Sequence, residues 1–194
     1  MIRTYVNAFG LGVVAGMRSL VAPALLSRKL VRTVPAKEPA KPIDYLAQPP
    51  TAIALSVLAG GEIIADKLPN APNRTIPLQF GARIASGATC GAIISTVEGP
   101  PAPVGALVGG LGAVVGTLVF FNLRRWLDHD LGLPDAVGAL AEDALAIGLG
   151  WSIVNRLQPG GQPAYQQRST DETPRFPVAP AAQLKPSQTQ PVLS

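Results

Sequence analysis

Charged residues interrupt stretches of the chain that are otherwise apolar, and they are its strongest indication of chemistry. Arg18 follows GLGVVAGM, Glu62 follows ALSVLAGG, and Glu142 and Asp143 lie within ALAEDALAIGLG. A charge at the centre of a membrane helix costs about 2.5–3.5 kcal/mol on insertion scales, so each of these residues needs a partner or water. They predict either a polar site at bilayer depth, where carboxylates bind a cation or relay protons, or an ion-pair cluster that fixes helix register.

The spacing of these residues indicates which of them share a helix face. Glu62 and Asp66 are four residues apart, which places them on one face. Glu142 and Asp143 are about 100° apart around a helix, so both can face the interior of a bundle. Arg18 is the natural cationic partner for these acids. We predict that Arg18, Glu62 and Glu142 converge at bilayer depth and form the functional centre.

Other polar residues flank the apolar segments. The proline-rich stretch 68–77 contains Pro69 and Arg74, and it forms either a plain loop or a cap folded over the polar site. Arg83 and Lys67 lie near segment ends, as Asp66 does, and we expect their charges to reach the headgroups.

Five apolar segments, separated by polar breaks, predict an all-α protein that is a polytopic transmembrane helical bundle. They cover approximately residues 5–26, 51–68, 76–97, 104–123 and 136–154. Because a span needs about 20 apolar residues, the short second segment either crosses fully or is re-entrant, giving five spans or four plus one re-entrant segment. The tight turn 98–103 predicts an antiparallel hairpin between segments three and four. The Lys and Arg residues of the connectors slightly favour an N-terminus outside the cytoplasm.

The composition excludes several classes of protein. Charged residues make up 14% of the chain, against about 25% in soluble domains. One Cys and one His exclude a disulfide framework and a His-rich metal centre, and the scattered basic residues form no stripe for nucleic acid. Since no nucleophile–base pair is visible either, we predict no catalytic residues, no metal, no cofactor and no enzymatic activity.

The C-terminal stretch differs from the rest of the chain. Residues 158–194 contain seven Pro and seven Gln and have no hydrophobic periodicity. Such a segment cannot bury enough apolar surface to offset its ordering entropy. We therefore predict a transmembrane helical domain over residues 1–157 and a disordered tail over residues 158–194.

Glycines recur at every fourth position on several segments. Segment four carries two such pairs, Gly105 with Gly109 and Gly112 with Gly116. Small residues let membrane helices approach closely, so this face either packs within the bundle or mediates an oligomer or lines a pore. The strings GLGVVAG (10–16) and GLGAVVG (110–116) are similar and lie three spans apart, which suggests a weak inverted repeat of the kind found in transporters.

Three stretches together resemble a family of small bacterial integral membrane proteins classed as a domain of unknown function. They are AGMRSLVAPALLS (15–27), GEIIADKLPNAPNRT (61–75) and ALAEDALAIGLG (139–150). The resemblance covers about residues 8–156 and implies an inner-membrane location, without an established activity. The polar set that it implies is Arg18, Glu62, Asp66, Lys67, Arg74, Glu142 and Asp143.

Two classes of function follow from these features. The first is a small transporter or channel for an ion or solute in the bacterial inner membrane, using the intramembrane carboxylates and Arg18. The second is a non-catalytic scaffold or oligomerising component packed through its glycine-rich faces, with a second copy as a partner. They differ in whether Glu62 and Glu142 line a water-accessible cavity or only neutralise Arg18.

Overall fold

The computed structural model describes residues 1–34, 41–65, 77–130 and 135–157. Over these ranges the chain is helical throughout and has no strand, which confirms the predicted all-α class. The helices are α1 (Ile2–Met17), α2 (Val21–Thr33), α3 (Pro42–Leu46), α4 (Pro49–Ala65), α5 (Pro77–Glu98), α6 (Ala102–Asp130) and α7 (Asp135–Arg156). The stretches 66–76 and 158–194, with the predicted loop motif and tail, lie outside the described residues.

The first apolar segment is two helices instead of one span. Helix α1 ends at Met17, Arg18 adopts an extended backbone (φ −139°, ψ 111°), and α2 begins at Val21. Pro23 lies in the first turn of α2, where a proline is tolerated because its missing N–H has no intrahelical partner in any case. We call residues 17–20 the apex of this hairpin.

Contacts with α7 show that α2 doubles back along α1. At the apex, Arg18 pairs with Asp143 near the start of α7, whereas Arg3 at the start of α1 donates to the carbonyl of Arg156 at the end of α7. Helix α1 is therefore antiparallel to α7. Helix α2 runs opposite to α1 and in the same direction as α7, because Leu30 near the end of α2 borders the same small cavity as Leu157, which directly follows α7.

Helix α6 is the centre of the bundle and packs against α1 and α5 through glycines. Gly109 of α6 lies against Gly12 of α1 and Gly87 of α5, so closely that a methyl group added to either of these two neighbours would overlap the carbonyl oxygen of Gly109. Gly105 lies against Gly91 in the same way. The order of these contacts makes α6 parallel to α1 and antiparallel to α5. The α5–α6 hairpin predicted from the turn is thus confirmed, with Gly99 in that turn at φ +101°.

The predicted inverted repeat is wrong. The similar strings at 10–16 and 110–116 run in the same direction and pack side by side, with Gly112 against Phe9 and Gly116 against Val13. The repeat failed because α1 turns back at the apex and does not cross the whole bundle. The two strings resemble each other because both must provide a surface for close helix packing.

The outer surface of α6 is apolar. Its exposed large side chains recur every three or four residues and include Val104, Leu107, Leu111, Val115 and Leu118. Of the described helices, only the stretch Ala102–Trp126 is both long and apolar enough to cross a membrane by length and composition, while α4 is apolar but shorter. This is weak support for membrane association, and the five predicted spans stay a prediction.

Candidate functional site

The apex of the α1–α2 hairpin lies against the middle of α6. The Thr117 hydroxyl donates to the carbonyl oxygen of Gly16 at 3.1 Å and to that of Ala113, one turn earlier in its own helix, at 2.8 Å. Residues 113–117 are the centre of the apolar stretch 102–126. Two helix ends, the C-terminus of α1 and the N-terminus of α2, therefore meet halfway along the longest helix of the bundle.

Arg83 of α5 donates hydrogen bonds to carbonyl oxygens at the C-terminus of α1. Its Nη1 donates to the carbonyl oxygens of Gly16 at 2.5 Å and Met17 at 2.9 Å, and the side chain is buried. These carbonyls belong to the last turn of a helix and have no intrahelical partner. The expectation that Arg83 extends to the headgroups is therefore wrong, because its helix begins well beyond the apex and carries the side chain into the interior.

Glu62 of α4 accepts hydrogen bonds from backbone N–H groups at the N-terminus of α2. Its carboxylate accepts hydrogen bonds from the backbone N–H groups of Ser19 and Leu20, both at 2.9 Å, and from the Ser19 hydroxyl at 2.8 Å. Amide donors at a helix N-terminus lack intrahelical acceptors, and the helix dipole favours a negative charge there. Glu62 thus caps a helix whose N-terminus is inside the bundle.

Arg18 and Asp143 form an ion pair at the same place. Arg18 Nη2 lies 2.6 Å from Asp143 Oδ1, and the exposed fractions of the two side chains are 0% and 8%. The four charged side chains Arg18, Glu62, Arg83 and Asp143, which we call the apex cluster, comprise two cations and two anions. Their formal charges therefore cancel, which reduces the cost of holding them away from water.

Glu142, the neighbour of Asp143, faces α6. Its Oε2 lies 3.8 Å from Nη1 of Arg124. These two residues border a cleft of about 190 Å³ between α6 and α7, which we call the α6–α7 cleft. Its other walls are mostly apolar and include Phe120, Leu123, Ala141 and Leu145.

The structure brings together some of the residues singled out in the sequence and leaves others aside. Arg18, Glu62 and Asp143 meet at the apex, and Glu142 lies beside them on α7 but reaches toward Arg124. Lys67, Pro69 and Arg74 lie outside the described residues together with Asp66, so the cap over the polar site stays a prediction. Within the described ranges, no group of three or more His, Cys, Asp or Glu side chains could hold a metal ion.

Four residues of the apex and its surroundings were not predicted from the sequence to lie there. Ser19 is part of the turn itself, and Arg83, Ser86 and Thr117 bind it from α5 and α6. Ser86 donates to the carbonyl oxygen of Ser19. Serine and threonine are common in membrane helices and carried no signal, whereas an arginine seven residues into an apolar helix was a signal for burial.

The chain matches none of the protein-family models, curated proteins or solved structures with which it was compared. The resemblance drawn from the three stretches therefore stays an expectation.

Proposed function

We propose that the chain is a multi-pass protein of the bacterial inner membrane, in which α4, α5, α6 and α7 cross the bilayer. Helices α5 and α7 have 22 residues each and α6 has 29, enough for a span of about 20 residues. Helix α4 has 17 residues, at the lower limit by length, and its Glu62 lies at the apex, so the crossing that begins with α4 is completed beyond Ala65. Helices α1 and α2, with 16 and 13 residues, form a hairpin that enters and leaves from one side.

The distribution of polar and apolar residues supports this topology. The apex cluster is in the interior, whereas large apolar side chains such as Leu107, Leu140 and Ile147 are exposed. Soluble proteins rarely expose contiguous apolar surfaces of this extent. The polar residues that lower the hydropathy of α5 and α7, chiefly Arg83 and Asp143, point to the apex and away from lipid.

The positions of the cations support an orientation opposite to the one favoured by the sequence. The N-terminus, the end of α2, the turn at Gly99 and the end of α7 lie at one end of the bundle, the proximal end; the other is the distal end. Cations toward the proximal end are Arg3, Arg28, Lys29, Arg32, Lys41 and Arg156. Arg124 and Arg125 lie toward the distal end. By the positive-inside rule, this distribution supports an N-terminus in the cytoplasm.

Within this topology, we propose that the protein is a small transporter or channel for an ion or solute. The observation that carries the proposal is the apex, where two helix ends and the Arg18–Asp143 ion pair meet at half the depth of α6. Irregular backbone at this depth is tolerated where it is buried in protein or lines a cavity. Transporters place their substrate and ion sites at such interrupted helices.

The α6–α7 cleft supports access to the apex from the distal side. Its lining includes Arg124 and Glu142, and Asp143, which follows Glu142 in the chain, pairs with Arg18. On the proximal side, α1, α5 and α6 are closely packed through glycines such as Gly109. A solute could reach the apex from one side at a time, and passage would require the hairpin to shift.

The alternative, a scaffold that oligomerises through glycine faces, has less support. Gly105 and Gly109 are in contact with α5, and Gly112 and Gly116 are in contact with α1. These faces are therefore occupied by other helices of the same chain.

Ion flux into proteoliposomes tests the transport proposal. The probes are protons, followed with a trapped pH-sensitive dye, and Na⁺ and K⁺, followed as isotopes. We expect at least one of them to enter faster than into empty liposomes, and Glu142→Gln to abolish that excess. Glu98→Gln, which neutralises an acid at the proximal end of α5, is the matched control and should retain the flux.

Thermal unfolding of the same preparations separates transport from stability. If Glu142→Gln abolishes the flux while its Tm stays close to that of the wild type, the carboxylate acts in transport. Flux of all three ions at the level of empty liposomes in the wild type would contradict the proposal.

A further inference from the structure

The mouth of the α6–α7 cleft opens on an apolar surface. Leu123 and Leu145 line the cleft and are also exposed, at 39% and 45%. Val119 and Leu140, exposed at 52% and 57%, belong to the same two helices near this opening. Under the proposed topology this surface faces lipid, so the cleft is open sideways to the bilayer as well as toward the distal end.

The cleft is lined by one cation, Arg124, and by the carboxylate of Glu142, which lies 3.8 Å from it. Arg124 is mostly buried, with 21% of its side chain exposed, and its guanidinium borders the cleft. It lies ten residues beyond the centre of the stretch 102–126, which is about 15 Å along the helix axis. That is the edge of a hydrocarbon core about 30 Å thick, where phosphate groups of lipids begin. Trp126 follows two residues later, and tryptophan is enriched at this depth.

We propose that the α6–α7 cleft binds one anionic phospholipid from the distal leaflet, with its phosphate on Arg124 and part of an acyl chain between Phe120, Leu123 and Leu145. A guanidinium binds phosphate through two parallel hydrogen bonds, which suits a headgroup better than a point charge does. Apart from Arg124 and Glu142, the walls of the cleft are apolar and suit an acyl chain better than a hydrated free ion. The inference depends on the proposed membrane topology, and does not depend on transport.

Native mass spectrometry of the full-length protein released from detergent micelles tests this proposal. The probes are phosphatidylglycerol, phosphatidylcholine with the same chains, and glycerol 3-phosphate as the headgroup alone. We expect one phosphatidylglycerol to be retained in preference to phosphatidylcholine, and glycerol 3-phosphate not to be retained. The matched pair of variants is Arg124→Gln, in the cleft, and Arg125→Gln, which removes the neighbouring exposed cation.

Arg124→Gln should lower the retention of phosphatidylglycerol relative to phosphatidylcholine about tenfold, equivalent to about 1.4 kcal/mol. Arg125→Gln should leave the ratio unchanged. Leu145→Trp fills the cleft without changing its charge and should reduce the retention of both lipids, so it tests the site even if Arg124→Gln does not fold.

Equal ratios for wild type and Arg124→Gln, or equal losses for Arg124→Gln and Arg125→Gln, would overturn the proposal. Retention of glycerol 3-phosphate as strong as that of the lipid would also overturn it, because the ligand would then be a soluble phosphate. Carbonate washing of membranes provides a separate readout: a wild-type chain released into the soluble fraction would contradict the membrane topology itself.

Discussion

Arg18 is a fully buried cation, and its guanidinium pairs with Asp143 at 2.6 Å. Removing one partner of a buried pair leaves a charge without compensation, which typically costs 3–5 kcal/mol. We expect Asp143→Asn and Arg18→Met each to destabilise the protein by about 3–5 kcal/mol. The measurement is thermal or denaturant unfolding of the purified protein in detergent.

The double variant Arg18→Met with Asp143→Leu separates the value of the pair from the cost of breaking it. Replacing both members of a buried pair by apolar residues is often neutral or stabilising, so the double variant should be more stable than either single variant. Arg156→Gln, which changes an exposed cation at the proximal end, is the control and should have little effect. A double variant as unstable as Asp143→Asn would show that the pair has a role beyond charge compensation.

The sequence was sufficient to identify some residues of the apex cluster and not others. Arg18, Glu62 and Asp143 could be identified because an isolated charge in an apolar stretch is costly wherever the helix is placed. Their partners could not be assigned. Glu62 binds backbone N–H groups that lack an intrahelical acceptor only because α2 begins at Val21, and the sequence did not predict that helix start. The position of Arg83 along the bundle could not be predicted either, because it depends on how far α5 extends past the apex.

At the scale of the helices, the closest contacts are those between α6 and its two neighbours. Gly109 and Gly110 are adjacent in sequence but differ in their surroundings. A methyl group at Gly109 would overlap backbone atoms of Gly87, whereas at Gly110 it would lie 3.7 Å from the nearest side-chain atoms, which is an ordinary contact. Gly109→Ala should therefore force the helices apart, and Gly110→Ala should not.

We expect Gly109→Ala to destabilise the protein by about 1–3 kcal/mol, the usual cost of overpacking, or more if the backbone cannot shift. Gly110→Ala is the matched control and should be neutral or slightly stabilising, because alanine has the higher helix propensity. Unfolding in the same detergent measures both. Equal stability of the two variants would contradict the close packing of α6 with α5.

The helices themselves were largely predictable, but the course of the first segment was not. Hydropathy identified α4 to α7, and the turn at Gly99 identified the α5–α6 hairpin. The break at Arg18 has no glycine or proline at residues 17–20, and it is stabilised by groups distant in sequence, namely Glu62, Arg83 and Thr117. Pro23 was the one local signal that a helix begins just before it.

At the scale of the whole molecule, the hairpin determines which loops lie at the same end of the bundle, and so which share a side in the proposed membrane topology. If residues 5–26 crossed the bilayer, the N-terminus and the end of that segment would lie on opposite sides. Because α2 returns along α1, both lie at the proximal end with the turn between α5 and α6. The proposed topology therefore has four crossings, and its orientation follows from where the cations are located.

Cysteine accessibility in a Cys90→Ala background tests this topology in spheroplasts. Pro101→Cys lies in the exposed α5–α6 turn, Arg125→Cys is exposed toward the distal end, and Leu140→Cys is exposed on the apolar surface of α7. A membrane-impermeant maleimide added outside should label Arg125→Cys and leave Pro101→Cys unlabelled until the cells are opened. Leu140→Cys should stay unlabelled in both conditions, because in the proposed topology lipid covers it and disfavours the thiolate. Labelling of Pro101→Cys from outside would reverse the orientation, and rapid labelling of Leu140→Cys in opened cells would mean that this surface faces water, which would contradict the membrane topology.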